Sequence, residues 1–211
     1  MTGTAFLFLS LALVAALVDW VAVDRGNSTL EYLCKPLTIV LLIGAAMGLD
    51  PADPDVRTWF VVALVLCLVG DVFLMLPKDR FVPGLVAFLF GHVAYIVGML
   101  VDGVEITRVG IGLVLVALAV ASIGIPVLRA VRAGDEPEME KPVVAYMVVI
   151  SAMVVSAIGA GHPAGVVGAG LFYASDTLIA WNRFVRASRR GRLAVIVTYH
   201  LAQVGLVLSL V

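Results

Sequence analysis

Two aspartates stand where a carboxylate needs a reason. Asp71 lies in a run that is otherwise apolar from Trp59 to Leu76, and Asp176 lies near the end of a second run from Pro163 to Trp181. A charge placed at that depth in a membrane costs about 2.5–3.5 kcal/mol on insertion scales, so it faces the protein interior or a wet cavity. Two carboxylates held close together in an apolar site can divide into a proton donor and an anion. That division serves general acid–base chemistry, in which one group gives a proton and its partner stabilises a developing cation or activates water. The remainder of the chain is read here as the frame that brings the two acids together.

The frame is a membrane one. Hydrophobic residues make up 62% of the chain and charged residues 14%, against about 25% charged in soluble domains. The mean hydropathy is +1.11. Together these values predict an all-α, polytopic membrane bundle. A net charge of -1 offers no basic surface for nucleic acid. Cys34 and Cys67 fall in or beside apolar segments and read as small buried hydrophobes. The first apolar run has no basic leader and no small-residue cleavage site, so it reads as a true span.

Eight runs are long enough to cross a bilayer. They lie near Thr4–Val23, Tyr32–Leu49, Arg57–Leu76, Phe81–Val101, Thr107–Leu128, Pro142–Ala160, Pro163–Trp181 and Leu193–Val211, joined by short loops into one integral-membrane domain over residues 1–211. Twelve of the fourteen basic residues, Lys35, Lys78 and Arg192 among them, fall after spans 1, 3, 5 and 7, whereas Arg57 and Arg108 fall on the other side. The positive-inside rule then sets both termini on the outer face. With that orientation each aspartate sits about five residues before a cytoplasmic helix end, about 7 Å deep at 1.5 Å per residue. Asn27-Ser28-Thr29 matches a glycosylation sequon but falls in a cytoplasmic loop, and reads as chance.

Other polar residues could join the acids. Lys35 precedes Pro36, which suits the first turn of span 2, and could anchor orientation or pair with an aspartate or a lipid phosphate. Asp19 reads as interfacial. Span 4 carries His92 with Phe88, Tyr95 and Met99 at helical spacing, and Tyr173 shares a face with Asp176. Asn182 lies at a helix end, and Tyr199 and Gln203 stack at i, i+4 on span 8. For these residues, interhelical hydrogen bonding competes with a role in a site. His92, His162 and His200 are scattered over separate elements, and no metal, cofactor or nucleotide motif is present.

These residues also fall into an ordered set of short motifs. Lys35-Pro36-Leu37 is followed by Gly70-Asp71 with Leu76-Pro77, then by Ala87-Phe88, Gly91-His92 and Tyr95. Phe172-Tyr173-Ala174-Ser175-Asp176 comes next, with Ile179-Ala180 and Asn182-Arg183-Phe184, and the set ends on Tyr199 and Ala202-Gln203. From span 2 to span 8 the chain resembles the YhhN-like family of eight-span membrane proteins, which includes the lysoplasmalogenases. The resemblance implies hydrolysis of the vinyl ether bond of a lysophospholipid to a fatty aldehyde and a glycerophospho-ethanolamine or -choline, without a cofactor. It implies Asp71 and Asp176 as the catalytic pair, with Lys35, His92, Tyr95, Tyr173, Asn182, Tyr199 and Gln203 around the substrate. A multi-pass protein of a bacterial plasma membrane is the matching location. Two other readings stay open from the residues alone. One is a small proton-coupled transporter or lipid-binding protein; the other is an intramembrane aspartyl protease, whose paired motifs Leu68-Val69-Gly70-Asp71 and Tyr173-Ala174-Ser175-Asp176 match only in part.

Overall fold

The structure, a computed structural model, describes residues 2–51, 53–76, 80–186 and 188–211, without the side chain of Arg189. Pro77 and Lys78, used in the sequence reading, lie outside the described residues. The described chain is all-helical, and eight of its helical stretches are long and apolar enough to cross a membrane.

Local chemistry sets the helix ends. Helix α1 (Gly3–Arg25) starts on Thr2, whose hydroxyl oxygen accepts from the Ala5 amide, and stops at Gly26 in a left-handed conformation. Helix α2 (Ser28–Met47) starts on Asn27, whose side chain accepts from the Leu30 amide at 3.2 Å. The asparagine of the sequon is therefore a helix cap. This start also corrects the placing of Lys35: it lies two turns inside α2, and Pro36 is an interior proline. Transmembrane helices tolerate such a proline because neighbours satisfy the freed backbone groups.

Helix α3 (Pro54–Met75) is capped by Asp53, and α4 (Phe81–Asp102) follows. The fifth span is longer than its sequence pattern suggested and is interrupted. Helix α5 (Ile106–Ala119) passes through a wide π turn at Val120–Gly124 into α6 (Ile125–Ala133). Inside that turn the Ser122 hydroxyl donates to the carbonyls of Leu118 and Ala119. Pro126 follows directly and has no amide to return to the preceding turn. Helices α7 (Glu140–Ala160), α8 (Pro163–Phe184) and α9 (Arg189–Leu208) complete the bundle.

Neighbours in sequence pair in space: α1 with α2, α3 with α4, and α8 with α9. Helix α7 packs against α4, α5 and α8, while α9 reaches α1, α2 and α3. The main core runs through the middle of the bundle and includes Ile39, Leu64, Met153, Phe172 and Leu206. A smaller cluster of Phe81, Val127, Val131, Met139 and Val143 lies at the end where the basic loops gather. Half of the apolar stretch of α4 is buried, against 17% for the stretch through α5 and α6, which lies at the bundle's edge.

Helix extents change the depth argument. Asp71 is four residues from the end of α3, and Asp176 is eight from the end of α8, about 6 and 12 Å along the axes. The two acids thus differ in their distance from their own helix ends, because α8 continues past Trp181 to Phe184.

Hydrocarbon offers helices no hydrophobic drive to associate, so close packing of small residues carries more of the association. Helices α8 and α9 cross with their backbones in close approach. A methyl group on Gly168 would lie 2.7 Å from the Leu206 amide nitrogen and 2.8 Å from the Ala202 carbonyl oxygen, whereas one on Gly170 would meet nothing. Backbone cannot yield as a side-chain tip can. Gly168→Ala is expected to cost about 1–3 kcal/mol, several degrees in the unfolding midpoint of detergent-solubilised protein. Gly170→Ala, measured beside it, is expected to leave the midpoint within a degree or two.

Candidate active site

Asp71 is buried between three helices. Its Oδ1 lies 3.0 Å from the Lys35 ammonium of α2, and the Tyr199 hydroxyl of α9 donates to its Oδ2 at 2.7 Å. Lys35 is 13% exposed and Asp71 1%, so the carboxylate reaches the bundle surface only through the lysine. Here the sequence reading of Lys35 as an aspartate partner agrees with the geometry, although its assigned place at the helix start does not.

Asp176 has different company. The Tyr146 hydroxyl of α7 donates to its Oδ2 at 2.6 Å, and the His92 ring nitrogen Nε2 of α4 stands 3.6 Å from the same oxygen. That distance is too long for a direct hydrogen bond. Between the two acids runs a file of rings. Tyr199 packs on Phe172 at 5.4 Å between centroids and Phe172 on His92 at 4.6 Å, with Phe88 touching both Tyr199 and Phe172. Edge-to-face contacts of this kind hold aromatic groups in fixed orientation. No direct hydrogen bond joins the two carboxylates, and the aromatic file separates them.

Two cavities meet at this site. One is narrow and almost wholly apolar. Leu74, Leu85, Phe88, Val143 and Ile150 are among its walls, and Asp176, Tyr146, Tyr173 and Thr177 are its polar groups. The other is a wider, more open and more polar vestibule with Lys35, Arg183, Arg192, Glu31, Asn182 and Ser188 in its wall. Leu74, Phe81 and Ile179 line both cavities, so the vestibule abuts the apolar cavity along a shared wall. Arg183 is held by Glu136, with contacts of 2.8 and 3.0 Å, and lies over the Phe81 ring.

The expected site residues are thus divided among distinct places. Asp176 and Tyr173 line the apolar cavity, and Lys35 and Asn182 line the vestibule. His92 and Tyr199 stand in the ring file. Tyr95 and Gln203 are fully buried and meet each other, the Tyr95 hydroxyl donating to Gln203 Oε1 at 2.6 Å; neither lines the two cavities. Their bond ties α4 to α9.

Tyr146 was not anticipated. Its only signal is a hydroxyl amid the apolar residues of span 6, which cannot reveal that α7 faces α8 at that level. Asp19, expected at an interface, is fully buried, and neither of its oxygens has a hydrogen-bond partner among the described residues. Lys35, Glu31 and Asp71 are the charged groups that act on it. Nearby, the Trp20 indole donates to His200 Nδ1 at 3.1 Å and ties α1 to α9.

Fold and site define a class: a multi-pass helical membrane protein with one acid in an apolar cavity and another paired to a lysine at an adjoining basic vestibule. The family model described as YhhN family matches residues 30–210, and the chain belongs to that family. It is 33% identical over 190 residues to the lysoplasmalogenase TMEM86B of Homo sapiens, covering 90% of this chain and 79% of that one. It is 37% identical over 166 residues to a lysoplasmalogenase of Mycobacterium bovis, covering 76% of this chain and 62% of the relative. No solved structure matches.

The ion pair makes a testable demand. Breaking a buried pair by removing one partner leaves an uncompensated charge and costs about 3–5 kcal/mol. Lys35→Met is therefore expected to destabilise the detergent-solubilised protein by that amount, and much less when Asp71→Asn is already present. Equal losses in the two backgrounds, read from unfolding titrations, would contradict the pairing.

Proposed function

We propose that this protein hydrolyses the vinyl ether bond of lysoplasmalogens, giving a fatty aldehyde and a glycerophospho-ethanolamine or -choline. The observation that carries the reading is the pair of cavities, one polar and basic, one apolar and holding a carboxylic acid, with a common wall. An amphiphile with a phosphate-bearing head and a single chain has the same division. The names of the curated relatives, which are lysoplasmalogenases, support the same substrate.

In this reading Lys35, Arg192 and Asn182 receive the phosphate and glycerol in the vestibule. The enol ether is drawn past Leu74 and Phe81 to Asp176. A proton moves from Asp176 to the carbon of the double bond that is not attached to oxygen, and the π electrons form the new C–H bond. Positive charge spreads over the neighbouring carbon and the ether oxygen. Water adds to that carbon and returns a proton to Asp176. The hemiacetal then collapses, its C–O bond to glycerol breaking as the hydroxyl proton passes to the departing oxygen.

The surroundings support distinct roles for the two acids. The Lys35 ammonium lies against Asp71 as a counter-charge, while Asp176 meets a phenol, an imidazole and hydrocarbon. Asp71 is then the fixed negative charge of the pair, felt across the ring file, and it also holds Lys35 at the vestibule. Tyr146 orients the Asp176 carboxyl. The basic end faces the cytoplasm, both termini lie outside, and the membrane is a bacterial plasma membrane; the loop charges favour this orientation.

General acid catalysis by a positioned group is worth about 10²–10⁴-fold. Asp176→Asn is expected to lower aldehyde release by at least about 100-fold while the protein stays folded, and Asp71→Asn to lower it comparably. Aldehyde released at the wild-type rate by either purified variant would remove that residue from the mechanism.

A further inference from the structure

The apolar cavity has a definite depth, and it is short. Tyr173 is eleven residues from the end of α8 and Ile150 ten from the start of α7, so the innermost lining lies about 15–16 Å from the helix ends. Asp176, eight residues from the end of α8, already lies about 12 Å in. Beyond the acid the lining continues for only about 4 Å along the helix axes, less than one helical turn. A lipid chain spans half of a hydrocarbon core of about 30 Å, about 15 Å. A chain whose reacting end is at Asp176 cannot finish inside the cavity.

The walls indicate where it leaves. On the outer half of the bundle α5 is clamped to α7: a methyl group on Gly112 would stand 3.2 Å from the Val155 backbone, and one on Gly159 would press on Val109 and Val104. Toward the basic end, Phe81, Val127, Val131, Met139 and Val143 close the bundle. Between these two closures the chain makes its π turn, and the contact there is of another kind. Gly124 faces the Met147 thioether, 2.8 Å from where its own Cβ would be, and both residues line the cavity. An unbranched thioether is the most adaptable side chain a wall can have. The flanking residues Ile123, Ile125, Val144 and Val148 are exposed on the bundle's outer face, against lipid.

We propose that the seam between the π turn and α7, at Gly124 and Met147, is a lateral portal for the alkyl chain of a single-chain amphiphile. The chain passes from the bilayer through this seam to Asp176, and its tail stays in lipid during the reaction. The portal rests on the hydrolase reading for the position of the reacting bond, but not for the seam itself. Long chains are then accepted with little discrimination, since the end of the chain is never enclosed. Gly124 decides whether a chain can cross.

Two measurements on the full chain in lipid nanodiscs test this. In the first, Gly124→Phe is expected to lower the ratio of long-chain to short-chain kcat/KM at least about ten-fold, because an aromatic ring fills the seam. Met147→Ala in the same chain is expected to restore the ratio by making room. In the second, a saturated alkyl-ether lysophospholipid with a photoreactive group midway along its chain is cross-linked and mapped by mass spectrometry. The portal places the label on the stretches 120–127 and 143–148, and Gly124→Phe abolishes it. Label confined to Phe88, Ile150 and Tyr173, no label at all, or a selectivity ratio unmoved by Gly124→Phe would overturn the portal. Seam labelling that Gly124→Phe abolishes, in a wild type that releases no aldehyde, would instead retain the portal and remove the hydrolase reading.

Discussion

A carboxylate in hydrocarbon is tolerated when a cation and a hydrogen-bond donor lie against it, and the arrangement of this bundle follows from supplying both at Asp71. Lys35 supplies the charge from α2 and Tyr199 the hydrogen bond from α9. The consecutive helices α2 and α3 are thereby tied to α9 from the far end of the chain. Lys35 is also the part of this unit that reaches the polar vestibule, so the group that neutralises the buried acid is the group an incoming phosphate would meet. Removing the pair would both loosen the fold and change the site, which is why stability and function have to be measured together there.

Asp176 meets the opposite condition. It has a phenol donor and an imidazole beside it, and opens on an almost wholly apolar cavity. One protein thus sets one acid against a lysine and leaves the other on the wall of an apolar cavity. The file of Tyr199, Phe172 and His92 stands between the two environments. Small residues make this possible. Where Gly168 and Gly205 let α8 and α9 touch backbone to backbone, α9 can carry Tyr199 to Asp71 while α8 carries Asp176 to the cavity.

Much of this was legible in the sequence because the bilayer restricts the choices. Apolar runs of sufficient length had to be helices, and charges within them had to face inward, which singled out Asp71, Asp176 and His92. What periodicity could not supply was the partner of each polar group. Lys35 was misplaced because Pro36 suggested a first turn, while the Asn27 cap two turns earlier looked like a sequon. Asp19 appeared interfacial because its distance from the end of α1 says nothing about the helices around it. Tyr146 and the Tyr95–Gln203 tie depend on which face of α7 or α9 meets which neighbour, and no local pattern records that. The π turn was missed for a simpler reason: Ser122, Gly124 and Pro126 interrupt an apolar run without ending it.

The central claim is that a carboxylic acid in the apolar cavity protonates carbon. Its most direct test is the isotopic content of the aldehyde released from an alkenyl lysophospholipid in D₂O, trapped by reduction as it forms. Protonation by a solvent-exchanged acid places one deuterium on the carbon next to the carbonyl, and that is the expected mass. An aldehyde without that deuterium, or no aldehyde from folded protein, would contradict the account.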